Sequence, residues 1–440
     1  MSLIFAKGFG GEVALAELWR RCALAEAESR LNSLDGAKLV AAAQAKAVYE
    51  AAATQADAVL ANEAEAGRAL THVLIAGVGS YEDVLIPEVT TSVYGAWTFA
   101  DWMLNHFFHI DRPLGSVELL LSPTAALGAW KPADAVAAIL GLAPGDQLPV
   151  ETASFSNINN AFKRWLGRCR TLPGNAAFFY FAGHGVWKAA PLLLPQDAHL
   201  PTTSQGPENL IDIRQTATNM FNTQPAIQCF FLDACQNKDA PLMQNLSAAP
   251  GKSLYESTNA GEVNREAWLY FGSYTGRPAY GPEDAAPFFT QELIGCMGRR
   301  GAATALDEGL WVVNTASLGQ ALEAAWHYRG EEENEEIRFS VDAGGSTLGE
   351  LCHIRGTPEA FVKVFCLPPS VMPQARLYVQ AAGTRSDRLK PRPEDWYVPV
   401  VRGGGHAGAD FNAATSLANT VKAFEALPPV SQARLQVQQK

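Results

Sequence analysis

Phe178-Phe179-Tyr180-Phe181-Ala182-Gly183-His184-Gly185 is an apolar run of strand length that ends in an imidazole between two glycines. Fifty-one residues after that histidine, Phe230-Phe231-Leu232-Asp233-Ala234-Cys235-Gln236 repeats the plan with a thiol. A cysteine after a buried strand is ordinarily a small core residue, and a histidine beside glycines is ordinarily a turn residue. Both together, each at the C-terminal end of a buried strand, are what open α/β sheets present at their binding edge. A free thiol is only a few per cent thiolate at neutral pH, so a cysteine nucleophile needs a base. Imidazole has a suitable pKa to take the thiol proton and later to protonate a leaving amine. Gly183 and Gly185 permit a sharp bend and close backbone approach to a substrate carbonyl. The pair therefore reads as the nucleophile, Cys235, and the general base, His184, of a cysteine peptidase.

The rest of the composition fits a folded enzyme. A chain of 440 residues with 48% hydrophobic and 10% aromatic content can bury a substantial core in two or three domains. Its net charge of −11 offers no basic excess to neutralise phosphates, which argues against a nucleic-acid partner. No apolar stretch approaches the 18 residues or so of a membrane span, and the first eight residues lack a signal-peptide core. The seven cysteines are scattered, odd in number and without a CxxC pair, the pattern of reduced thiols. These features read as a cytoplasmic protein without a membrane partner.

Residues 1–69 are rich in Ala, Glu and Leu, and predict helices over Val13–Leu31 and Lys38–Leu70, broken at Asn32-Ser33-Leu34-Asp35-Gly36. From His72 the texture alternates. Strands are expected at Val73–Val78, Val117–Leu121, Ala176–Phe181, Ala226–Leu232 and Trp268–Gly272. Helices are expected at Trp97–Phe108 and Pro287–Met297, and another carries Ile158, Phe162, Trp165 and Cys169 at helical spacing. Buried strands separated by helices imply an α/β fold with a mostly parallel sheet covered on both faces. The acidic run Gly330–Glu336 reads as a domain boundary. Beyond it, Ile337–Val341, Phe361–Cys366, Arg376–Val379 and Trp396–Val401 read as strands of a small β-rich domain. The organisation is then a helical N-terminal region (1–69), an enzymatic domain (70–329) and a C-terminal domain (337–440).

At the two reactive segments the chain resembles a known family. Tyr180-Phe181-Ala182-Gly183-His184-Gly185 is similar to the histidine signature of clan CD peptidases, the caspase, metacaspase and bacterial orthocaspase group, and Leu232-Asp233-Ala234-Cys235 to their nucleophile motif. The likeness runs over roughly residues 71–328. It takes in the Leu74–Tyr81 strand, Leu194–Ala198, Gly272–Arg277 and Pro287-Phe288-Phe289-Thr290. The resemblance implies a caspase-hemoglobinase-like fold, a thioester acyl-enzyme, and an oxyanion site at the backbone N–H groups of Gly185 and Cys235. It also implies a substrate pocket with Asp233 and Ser273, where Asp233 receives a basic P1 side chain. A second pocket acid is usual in metacaspases, yet Phe99 stands where it would be. Animal caspases, which cut after Asp, carry a Gln-Ala-Cys motif that is absent here.

Residues 236–267 form a long polar stretch where caspases are cut between subunits. With Lys238, Lys252 and Arg265 it reads either as a processing segment of a zymogen or as a plain flexible surface loop. The expected partners are a protein substrate and an activating protease or regulatory protein, in bacterial defence, antiviral or in regulated cell death. His106, His109 and Asp111 read as helix-end residues without a fourth metal ligand, and Glu82, Asp83, Glu283 and Asp284 match no calcium loop. No cofactor is expected. The rival readings are a catalytically silent scaffold of the same fold and an unrelated hydrolase of small amides.

Overall fold

The structure is a computed structural model. It describes residues 2–9, 14–31, 35–187, 190–199, 208–221, 223, 225, 227–235, 251–256, 267–273, 281–307, 309–333, 339–343 and 348–440. Two compact units emerge, Met1–Gln291 with Ser340–Thr347, and Glu292–Phe339 with Leu348–Lys440. Their division falls after Gln291, ahead of the acidic run.

The first unit is built, in chain order, from β1 (Leu3–Ala6), α1 (Leu15–Leu31), α2 (Gly36–Glu65), β2 (Thr71–Val78), α3 (Thr90–Asn105), β3 (Leu114–Ser122), α4 (Asp134–Ile139), α5 (Phe155–Cys169) and β4 (Ala176–Gly183). It continues through β5 (Gly185–Trp187), β6 (Pro191–Leu193), β7 (Ile211–Asp212), α6 (Ile213–Met220), β8 (Ile227–Ala234), β9 (Ala267–Phe271) and the first turn of α7 (Phe288–Gly295), within which the division falls. The second unit supplies β10 (Ala302–Asp307), β11 (Leu310–Asn314) and α8 (Thr315–Glu332), after which β12 (Ser340–Ala343) returns to the first. The strands pair in the order β1-β3-β2-β4-β8-β9-β12. The five inner strands are parallel, and β1 and β12 close the two edges antiparallel. The expected strand at Ile337–Val341 is thus corrected. Its described part belongs to β12, on the large sheet, because Ser340–Ala343 satisfies the open edge of β9.

Alternation along β4 explains how a run of aromatics is accommodated. Phe179 and Phe181 face one side with Phe162 and Trp165 of α5, while Phe178 and Tyr180 face the other with Phe99 of α3. Phe99 stacks on Tyr180 at 4.6 Å between ring centroids. Such aromatic pairs contribute roughly 0.5–1.5 kcal/mol each beyond the area they bury. On α5, Ile158, Phe162, Trp165 and Cys169 are all buried, as their spacing predicts, and Ser154 caps its first turn. Helix α3 begins seven residues earlier than expected, because Thr90-Thr91-Ser92, weak helix formers, enter it.

The N-terminal helices are present, with Asp35 capping α2 through the N–H groups of Ala37 and Lys38. They are fastened to the sheet by charge. Glu118 of β3 is entirely buried and takes hydrogen bonds from Ser2, Arg164 at 3.0 Å and Arg168 at 2.7 Å. Arg168 also holds Asp57 of α2 at 2.7 Å. Removing one partner from such a buried cluster typically costs roughly 3–5 kcal/mol.

The second unit carries β13 (Glu350–Arg355), β14 (Glu359–Leu367), β15 (Arg376–Ala381), β16 (Thr384–Asp387), β17 (Trp396–Val401), β18 (Gly403–Asp410), β19 (Thr420–Ala426) and β20 (Val430–Gln436). Sheets β17-β14-β20 and β16-β15-β18-β19 share one core, in which Val362, Val364, Leu377, Val379, Trp396 and Ala407 are buried.

Candidate active site

Strand order puts a topological switch point beside β2. From β2 the chain steps outward to β3, then crosses back so that β4 lies on the other side of β2. In open parallel sheets this reversal leaves an opening at the C-terminal strand ends, the usual position of a ligand site. The loop after β2 and the residue after β4, His184, flank that opening.

Gly183 of β4 pairs with Ala234 of β8 in the last rung of their parallel ladder. His184 and Cys235 are the next residues on each strand, so they leave the sheet side by side from strands about 4.8 Å apart. Both are half-buried, whereas the other six cysteines, all described, include Cys229 and Cys296 and are fully buried. The close approach requires Gly185. A Cβ there would lie 2.5 Å from the Cys235 carbonyl oxygen and 3.1 Å from the Ala234 Cβ. Gly185→Ala is therefore expected to push the two strand ends apart, costing about 1–3 kcal/mol. A urea melt would show it, as would slower alkylation of Cys235 by iodoacetamide; wild-type values for both would contradict the packing.

The loop after β2 holds the histidine from two directions. The His184 backbone N–H donates to the Tyr81 hydroxyl at 2.7 Å, and the Tyr81 and His184 rings lie 5.2 Å apart. Nε2 of His184 is 2.9 Å from the Pro87 carbonyl oxygen. A carbonyl only accepts, so Nε2 carries the proton of the neutral ring and Nδ1 keeps its lone pair. Burial lowers the His184 pKa, with the Pro87 bond opposing in part. A neutral imidazole with a fixed tautomer can act as a base.

Asp233, the residue before Ala234, is 3% exposed. The Thr290 hydroxyl of α7 donates to its Oδ2, and Tyr180 Oη lies 2.6 Å from that same hydroxyl. Oδ1 has no hydrogen-bond partner among the described residues and lies against Gly272. Burial raises the Asp233 pKa to about 7, against the hydrogen bonds from Thr290. Ser273, also buried, donates through Oγ to the Ala234 carbonyl at 3.0 Å and tethers the turn after β9 to the end of β8. Phe99 is committed to the core and cannot contribute a second pocket acid.

Tyr81, Pro87 and Thr290 are contacts that residue patterns did not assign. Pro87 acts through its backbone carbonyl, which no side-chain pattern announces. Tyr81 and Thr290 lie within segments of the resemblance but far in sequence from the groups they hold. Of the 236–267 stretch, residues 236–250 and 257–266, with Lys238 and Arg265, lie outside the described residues. Lys252 is described, and its backbone pairs with Leu210 and Asp212. Tyr274–Arg277 of the resembling turn also lies outside them.

Residues 146–316 match the family model described as Caspase domain, Peptidase_C14. An uncharacterized protein, y4kE, from Sinorhizobium fredii is 22% identical over 279 residues, covering 62% of this chain and 76% of its own. Caspase-1 from Spodoptera frugiperda has a TM-score of 0.37 at 11% identity, covering 64% of this chain and 89% of that structure. For pro-sf-caspase-1 the TM-score is 0.32 at 10% identity, covering 65% and 92%. The matched stretch contains both the His184 and the Cys235 segments and the strands that bear them, and over these residues the chain is similar to the caspase domain.

Proposed function

We propose that the protein is a cysteine endopeptidase in which Cys235 is the nucleophile and His184 the proton shuttle. The observation that supports this reading is the Gly183–Ala234 rung, after which His184 and Cys235 are the next residues on neighbouring strands, together with the bond from His184 Nε2 to the Pro87 carbonyl. In the reaction, Nδ1 of His184 removes the thiol proton as Sγ bonds to the substrate carbonyl carbon. The tetrahedral oxyanion is received by the N–H groups of Gly185 and Cys235. Collapse breaks the C–N bond, the imidazolium protonates the departing amine, and a thioester remains. Water, deprotonated by the same imidazole, then releases the acid and restores the thiol.

The preferred P1 residue is Arg or Lys. A carboxylate buried as deeply as Asp233 is costly to ionise alone, and a guanidinium or ammonium beside Oδ1 would offset that cost. Ser273 borders the same pocket and holds its wall to β8. The stretch 236–267 is the processing segment, cut at Lys238 or Arg265; Lys252, with its backbone already paired, is a poor site. The substrates are proteins, and an activating protease or regulatory protein controls the enzyme in bacterial defence or cell death. A P1-varied peptide library is expected to show cleavage after Arg and Lys. Cleavage confined to Asp or apolar P1 residues would reject the assigned pocket, and labelling of Cys235 with no peptide cut would favour a hydrolase of small amides.

A further inference from the structure

Strand β4 ends at Gly183 and β5 begins at Gly185, so His184 is the one residue between two paired segments. Its carbonyl is used by the Leu194 N–H at 3.0 Å. Its own N–H has left the β4 ladder and points to Tyr81, whose hydroxyl accepts it at 2.7 Å. The same residue touches the imidazole through its ring, at 5.2 Å between centroids. The Tyr81 hydroxyl donates only a long contact, 3.5 Å, to the Val78 carbonyl. The ring is seated against two separate clusters, the main core and the small one formed by Ile86, Val186, Leu192 and Leu194. Gly183 leaves room for it, since a Cβ there would lie 3.2 Å from the Tyr81 oxygen. The loop that bears Tyr81 also supplies Pro87, and is tied down by Glu82 N–H to the Gln196 carbonyl and by Leu85 N–H to the Asp83 carboxylate, both at 2.9 Å.

We propose that Tyr81 is a positioning residue for the base: its hydroxyl fixes the His184 backbone and its ring packs on the imidazole, so that Nδ1, the nitrogen not bonded to Pro87, is held available to the Cys235 thiol. This rests on the assignment of His184 and Cys235 as base and nucleophile. Held at its main chain by Tyr81 and at Nε2 by Pro87, the imidazole has two anchors and one free nitrogen. Removing the hydroxyl releases the first anchor while leaving the ring packing in place. The imidazole then spends less time aligned with the thiol, and Cys235 reacts as an unassisted cysteine.

The test uses iodoacetamide as the probe, with alkylation of Cys235 followed by peptide mass spectrometry across pH in the full chain. Wild type and Tyr81→Phe are compared at matched folding, verified by thermal melts. The proposal predicts roughly tenfold slower alkylation of the variant at neutral pH and a midpoint moved upward by about one pH unit. A purely structural tyrosine would lower the melting temperature and leave the pH profile of the folded fraction in place, and that result overturns the proposal. If wild-type Cys235 itself reacts like a free thiol with no histidine-dependent limb, the assignment of base and nucleophile fails instead. Hydrogen exchange at the His184 amide gives a variant-free measurement. Protection in wild type is expected, and exchange at the rate of an open loop overturns the proposal even where Tyr81→Phe does not fold.

Discussion

Alanine in place of Cys235 is expected to bring peptide turnover to background, and alanine in place of His184 to slow it by about 10²–10⁴-fold, the range a positioned general base supplies. Both side chains sit half-buried at strand ends outside the packed aromatic layers, so neither substitution should disturb the fold at the level of a core deletion. Retained turnover in Cys235→Ala would move the chemistry elsewhere. The pH profile carries a second signature. Burial lowers the His184 pKa, so the imidazole stays neutral at pH values where a free histidine, near 6.5, already holds a proton. The kcat/KM plateau is therefore expected to persist below about pH 6.5 and to fall as pH drops through the lowered value. The same depression means that the unfolded chain binds a proton that the folded one refuses. This histidine therefore withdraws stability as pH falls through that window, and His184→Ala should lose less stability on acidification than wild type.

The second large effect belongs to Asp233. With its pKa raised to about 7 from an ordinary 3.8, the folded state keeps a proton that the unfolded chain has already released between those values. Stability therefore falls as pH rises from about 4 to 7, by at most about 4 kcal/mol, since each pH unit between the two pKa values contributes about 1.36 kcal/mol. Asp233→Asn keeps the shape, accepts from Thr290 as before, and carries no charge. Its melting temperature is expected to exceed that of wild type at pH 8 and to match it near pH 4. Specificity should move the opposite way, with kcat/KM for Arg or Lys at P1 falling about 10²-fold or more while neutral P1 residues are little affected. In wild type, the KM for a basic P1 should rise below about pH 7 as Asp233 takes its proton. Equal stability at pH 8 combined with an unchanged P1 spectrum would leave Asp233 a plain core residue.

The parts of the molecule that the amino-acid sequence reveals are those with a local signature. The apolar runs that become β2, β3, β4, β8 and β9 are bounded by turn residues, and the 3.6 spacing of Ile158, Phe162, Trp165 and Cys169 names the buried face of α5. The strand-end positions of His184 and Cys235 are legible for the same reason, since each follows such a run. What stays hidden is non-local or carried by the backbone. The four residues of β1 are too few to show alternation, and their place is set by Glu118 and β3 rather than by propensity. Pro87 serves through a carbonyl, Tyr81 through a partner 103 residues away, and Thr290 through one 57 residues away. Phe99 is the reverse case. Its side chain is easily read as apolar, yet only the stack on Tyr180 shows how its ring is built into the core.

The edge strands bear on where this chain can be cut. A fragment trimmed to the compositional boundaries, residues 70–329, would keep the histidine and the cysteine but lose β1 from one margin of the sheet and β12 from the other. The unpaired rows of β3 and β9 would then be offered to any neighbouring chain, the situation in which isolated α/β fragments aggregate or pair edge to edge. A piece that keeps both margins must begin before Leu3 and reach past Ala343, and because β11 pairs with β13 it must also take in Glu350–Arg355. Its ends are dictated by hydrogen-bond bookkeeping at the rims of a sheet rather than by the spacing of its reactive groups.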